Sequence, residues 1–142
     1  MSQYAVIDTN VLISGMLKKN SIPNIILSKA LIGNIVPLIN EEILTEYREV
    51  TARPKFHFPQ ESVKNLLAAI IRRGLWQDAE SLEIELPDEK DRVFYETIVA
   101  GRKRFDAYLV TGNLKHFPTE EFVVTPHQML EISGSNLDLP PI

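Results

Sequence analysis

The stretch Ala5-Val-Ile-Asp8-Thr9-Asn10-Val-Leu-Ile-Ser14 interrupts an apolar run with an acid, a hydroxyl and an amide. A surface turn of that kind usually recruits Gly or Pro, and this one has neither. The polar triplet therefore points to chemistry. Two helical wheels bring in further acids. After Asn40 the apolar stripe is Ile43, Leu44, Tyr47 and Val50, and Glu46 borders it while Glu42 and Glu49 lie further round. Asp91 has Phe94, Tyr95 and Ile98 at its i+3, i+4 and i+7 positions, which puts a carboxylate in the middle of an apolar face. An inward acid needs a partner, and no lysine or arginine recurs where it would neutralise this one. A divalent cation held by several carboxylates satisfies all of these groups together. Taken singly, plainer roles also fit: a turn or cap acid at Asp8, an N-cap and first-turn acid at Asp88 and Asp91, a solvated side chain at Glu46.

The elements that position these residues alternate. Tyr4 to Ile7 reads as a buried strand and Pro23 to Leu31 as a helix stopped by Gly33-Asn34. Ile35 to Ile39 reads as a second strand, with Pro37 weakening it or placing it at a sheet edge. Asn40 caps a helix whose first turn carries Glu41 and Glu42, and Arg53-Pro54 ends it. Another helix runs from about Gln60 to Arg73 and stops at Gly74. Leu82 to Leu86 alternates apolar and acidic residues, as a short strand or an extended link does. Pro87-Asp88 starts a helix ending near Gly101, Ala107 to Thr111 is a strand, and Phe122 to Val124 is a shorter one. Thr125-Pro126-His-Gln128 has the form of a capping box with Pro at the first helical position.

Strand and helix alternating in this way imply a three-layer α/β/α fold with a central parallel sheet of four to five strands. Ligand sites in such sheets lie at the carboxyl ends of strands. Asp8 directly follows the first strand, and Asn113 follows Ala107 to Thr111 after only a Gly, so both fall on that edge.

Composition narrows the class. A chain of 142 residues, 44% hydrophobic and 24% charged, is expected to form one globular domain, residues 1–133, followed by a loosely held tail, 134–142, rich in Gly, Ser and Pro. With no cysteine there are no disulfides, thiolate metal sites or cysteine nucleophiles. No apolar run approaches a membrane span and no secretory signal opens the chain, so a cytoplasmic protein is expected. The net charge of −4 argues against a surface that attracts nucleic acid everywhere, but local basic patches occur at Lys18-Lys19, Arg53-Pro-Lys55, Arg72-Arg73 and Arg102-Lys-Arg104.

In order along the chain, "VIDTNVLIS", "EEILTEYREVTARPKF" from Glu41, "LPDEKDRVFYETIVAG" from Leu86 and "AYLVTGNLKHFP" from Ala107 resemble the PIN-domain family of small metal-dependent ribonucleases. The resemblance runs from Tyr4 to about Glu131 and is nearest to the bacterial branch described as toxin components of toxin-antitoxin pairs. It implies a Rossmann-like sheet and a catalytic, metal-holding set of Asp8, Glu46 and Asp91. Asn113 stands where many relatives have a fourth acid; its amide oxygen still suits a cation, but the lost charge implies weaker metal affinity. Thr9, Asn10 and Thr111 match supporting or phosphate contacts, and Lys115 and His116 lie nearest as RNA contacts. The implied reaction is hydrolysis of an RNA phosphodiester with Mg²⁺ or Mn²⁺, on unpaired RNA. A cognate antitoxin and a homodimer are the implied partners.

Two other families place an acid after a first strand. Phosphatases of the haloacid dehalogenase type need Asp-x-Asp, and Asn10 occupies the second position; receiver domains need a paired acid that this chain lacks. The alternative of a different class is a PIN-like domain with weakened catalysis that serves as an RNA-binding or protein-interaction module.

Overall fold

The alternation of side chains along the strands sets the layers. A computed structural model describes residues 2–134; Met1 and residues 135–142, which include nearly all of the expected tail, lie outside the described residues. In β1 (Gln3–Ile7), Ala5 and Ile7 enter one apolar cluster and Val6 the other; in β4 (Ala107–Val110), Leu109 and Val110 divide in the same way. Both faces of the sheet are therefore buried, as a parallel sheet requires. The larger cluster takes residues from α3 (Glu41–Thr51), α4 (Gln60–Arg73) and α5 (Arg92–Gly101). The smaller takes Val11 of α1 (Thr9–Leu17), Ile26 and Ala30 of α2 (Ile22–Ile32), and Met129 of α6 (Pro126–Ile132).

With β2 (Ile35–Ile39), β3 (Leu75–Trp76) and β5 (Val123–Val124), the sheet has five strands in the order β3-β2-β1-β4-β5, all parallel. The chain builds outward from β1 to one edge, then crosses back to lay β4 on the other side of β1. That reversal makes the β1/β4 junction the topological switch point, where the loops diverge and leave a crevice.

Two expectations need correction, and one open alternative closes. Pro37 does not put β2 at an edge, because β2 lies between β1 and β3. Pairing with β3 begins only at Leu38, and the Pro37 carbonyl lies against Gly74, just before that strand. The missing Pro N–H therefore faces a position where no ladder bond is made. Residues 9–17, assigned to no element by sequence, form α1: the polar triplet closes a strand and opens a helix with no turn residue between them. Leu82 to Leu86 is an extended link. Its apolar residues pack against the larger core, and it is held by the Arg92 guanidinium, which donates to the Leu82 and Ile84 carbonyls at 2.9 and 2.5 Å.

Where the sheet ends, a buried polar junction locks the elements that carry the acids. Asn40 Oδ1 accepts from the Ile43 N–H at 3.0 Å and caps α3. Its Nδ2 donates to the Gln77 carbonyl at 3.0 Å and to Thr97 Oγ1 of α5 at 2.8 Å. One amide thus joins the exit of β2, the exit of β3, α3 and α5. Asn40→Ala removes the cap and both buried bonds, so a loss of about 2–3 kcal/mol is expected in chemical denaturation. A loss below about 0.5 kcal/mol would show that the junction is dispensable.

Candidate metal and phosphate site

Asp8 ends β1 and stands immediately before α1, yet its side chain makes no cap bond to that helix. It turns instead to Thr111, whose hydroxyl donates to Asp8 Oδ2 at 2.7 Å. The Thr111 hydroxyl in turn accepts from the Asn113 N–H at 3.0 Å, so the turn after β4 fixes both the acid and the amide. Asn10 strengthens that turn through Oδ1, which accepts from the Gly112 N–H at 3.1 Å. The opening triplet and the segment after β4 are therefore one structure across the switch point.

Glu46 and Asp91 arrive from α3 and from the turn before α5. Tyr47, next to Glu46, is buried and donates its hydroxyl to the Ile7 carbonyl at 2.5 Å, which pins α3 to the end of β1. Burial, aided by the charge of Asp8, pushes the Tyr47 hydroxyl far up and keeps it a donor. Asp88 caps a short 3₁₀ turn, Glu89–Asp91, and α5 begins at Arg92, four residues after the expected start. Asp91 consequently occupies the N-cap of α5 and still precedes the buried Phe94, Tyr95 and Ile98.

The three acids line one cleft of about 450 Å³ at the switch point, together with Thr9, Asn10, Asn113 and His116. Among the described residues, no three acid or imidazole side chains stand close enough to form a ready-made cation cage. Asp91 has instead found a partner that the sequence did not disclose: Nδ1–H of His116 donates to Asp91 Oδ2 at 2.9 Å, and Nε2 of the same ring accepts from Asn113 Nδ2 at 2.9 Å. His116 thus holds Asp91 and Asn113 together. Thr111 is fully buried behind the cleft, and Lys115 is exposed and outside its lining. Arg53 and Lys90, neither singled out as a site residue, do line the cleft. Arg53 had a signal in the basic patch Arg53-Pro-Lys55, whereas Lys90 had only its position next to Asp91.

Burial dominates the electrostatics of the three acids. Burial lifts the Asp8 carboxyl from 3.8 to about 6; the Thr111 hydroxyl opposes the rise and the charge of Asp91 adds to it. Glu46 and Asp91 are also raised, in both cases chiefly by burial. Lys90 opposes the shift at Glu46 and His116 opposes it at Asp91. Mutual repulsion of the acids contributes, but desolvation is the larger cause. Thr9 is also a cleft residue, and its buried Oγ1 has no hydrogen-bond partner among the described residues. Carboxylate and amide oxygens, the groups that Asp8, Glu46, Asp91 and Asn113 bring to this cleft, are the hard donors that Mg²⁺ and Mn²⁺ prefer.

Residues 4–115 match the family profile described as PIN domain, a span that includes every residue of the cleft except His116. The chain belongs to the PIN-domain family. PIN domains are generally nucleases and typically use divalent metals, which agrees with an acid cleft at the switch point. The chain matches no curated protein and no solved structure. Among the described residues of this PIN domain, no helix is long and apolar enough to cross a membrane.

The raised carboxyl at Asp8 sets a sign for stability against pH. Because the folded chain holds this proton more tightly than the unfolded chain, the contribution is full below pH 3.8 and is lost as the pH rises through about 6. Above that the ionised, buried group is a cost. Asp8→Asn is therefore expected to stabilise the metal-free protein at pH 8 by on the order of 2 kcal/mol, with the gain fading below about pH 5. Thermal melts in EDTA across that range check this, and a variant less stable than wild type at pH 8 would contradict it.

Proposed function

We propose that this PIN domain is an Mg²⁺- or Mn²⁺-dependent endoribonuclease that hydrolyses phosphodiester bonds in unpaired RNA. The observation that carries the reading is the convergence of Asp8, Glu46 and Asp91 on one cleft, with Asp8 buried and in no ion pair with Lys or Arg among the described residues. Asp8, Glu46 and Asp91 would hold the ion, with Asn113 Oδ1 as a further oxygen. Bound there, such an ion supplies Lewis acidity toward the phosphate and a more acidic water as nucleophile.

The chain's own residues prepare the rest. Thr111 donates to Oδ2 of Asp8, where the Thr9 backbone also favours the charged form, and His116 donates to Oδ2 of Asp91, so both carboxylates are held in place. Tyr47 seats the helix that carries Glu46 against β1. Arg53 and Lys90 place positive charge beside the acids, where they can bind phosphate oxygens of the strand. Net hydrolysis adds water across one P–O ester bond, leaving a phosphate on one fragment and a hydroxyl on the other.

The toxin role follows the branch resemblance of the motifs, with a cognate antitoxin, a homodimer and the cytoplasm as its setting. One observation favours the second reading, a module of weakened catalysis that binds RNA or protein. Asn113 replaces an acid and is engaged with His116, which lowers the negative charge available to an ion.

Purified full-length protein is expected to cleave a mixed single-stranded RNA with Mg²⁺ or Mn²⁺, and to lose at least about a hundredfold of its rate in Asp8→Asn/Asp91→Asn or in EDTA. Folded wild-type protein that cleaves nothing with either ion would move the assignment to the binding module. Asn113→Asp, which restores a charge, is expected to lower the Mg²⁺ concentration giving half-maximal rate; an unchanged value would exclude Asn113 from the ion's surroundings.

A further inference from the structure

Beside the acids, the cleft is bordered by a segment of which only Arg53 enters the reading above. After α3 the chain passes through extended Arg53, a 3₁₀ turn at Pro54–Phe56, and His57 in the left-handed region at φ 55°. Gln60, in the first turn of α4, fastens this loop: its Nε2 donates to the Phe58 carbonyl at 3.1 Å and to the Thr51 carbonyl at 3.5 Å. The rings of Phe56 and Phe58 stack with centroids 5.5 Å apart and planes 18° from parallel.

The two rings have different surroundings. Phe58 packs against the larger core, whereas Phe56 joins neither core cluster and lines the acid cleft beside Arg53. Phe56 is thus a half-buried phenyl that the fold does not absorb, backed by a ring that it does. Lys55 Nζ lies 5.1 Å from the Phe56 centroid, so an exposed cation already reaches that ring from solvent. A flat ligand arriving there exchanges a cation–π contact for stacking and releases the ammonium to a neighbouring phosphate.

We propose that Phe56, backed by Phe58, is a stacking platform for one base of an unpaired strand whose backbone crosses the acid cleft, with Arg53 and Lys55 on the flanking phosphates. The inference rests on the ribonuclease reading and adds a reason for the strand to be unpaired. Only a base out of its duplex presents a free face, and stacking accepts any base because each has one. Phe56 is then a binding residue that registers the strand and does not touch the scissile bond.

Fluorescence anisotropy with full-length protein and a labelled single-stranded octaribonucleotide tests this, with Ca²⁺ replacing Mg²⁺ and the RNA checked for integrity. A set of matched oligonucleotides, each with one abasic position, locates the stacked base. Wild-type protein is expected to bind the intact strand about tenfold or more tightly than the worst abasic strand. Phe56→Ala is expected to bind all strands alike, at the abasic level. Phe56→Leu, which keeps apolar contact with Phe58, is expected to behave like the alanine variant, and Phe56→Tyr to recover base dependence. Wild-type affinity for the intact strand in Phe56→Ala or Phe56→Leu overturns the platform and leaves the ribonuclease reading standing. A wild-type protein that binds neither kind of strand overturns both.

Discussion

A carboxylate buried at the end of a strand, in no ion pair with Lys or Arg among the described residues, is the constraint around which this structure is arranged. Asp8 is only 4% exposed, at the point where β1 gives way to α1. An ionised group in that position must be hydrogen-bonded, protonated or coordinated. Thr111 supplies the hydrogen bond, and in doing so couples the end of β1 to the turn after β4. Burial keeps the proton within reach by raising the carboxyl to about 6. Coordination is the third possibility, and the cleft gives it room.

The surrounding polar contacts read as consequences of that constraint. Asn10 and Thr111 fix the turn that faces Asp8; Tyr47 ties Glu46 to the same strand end; His116 holds Asp91 and Asn113. Apart from the Asn113–His116 bond, which lies within one turn, these contacts join different elements, so the cleft is defined by the packing of the whole sheet edge and not by one loop. Negative charge lies inside, and Arg53, Lys55 and Lys90 lie on or near the rim. That local separation matters more for an anionic strand than the net charge of −4, because surface fields are screened within about 10 Å in ordinary salt.

Much of this was legible in the sequence because it follows from periodicity. The two-residue alternation of buried strands and the i, i+3, i+4 stripes around Glu46 and Asp91 place those acids without knowledge of the fold. Pro37 misled because a missing N–H weakens a strand only where a ladder bond would form, and that depends on where β3 starts. The helix from Thr9 was hidden because its apolar residues serve both core clusters and blur any single stripe. The pairing of His116 with Asp91 was illegible for a different reason: the two are 25 positions apart and meet only after the β1/β4 crossover. Lys90 lines the cleft and Lys115 does not, since nearness in sequence to Asn113 says little about which way a turn presents a side chain.

The central proposal is that buried Asp8 and the half-buried Glu46 and Asp91 form one cation site. Titration of full-length protein with Mn²⁺, reading the free ion by electron paramagnetic resonance, tests it without requiring an RNA substrate. The account predicts saturable Mn²⁺ uptake by wild-type protein that is lost in the folded Asp8→Asn/Asp91→Asn variant. Equal uptake by both proteins, or none by wild type, would contradict it.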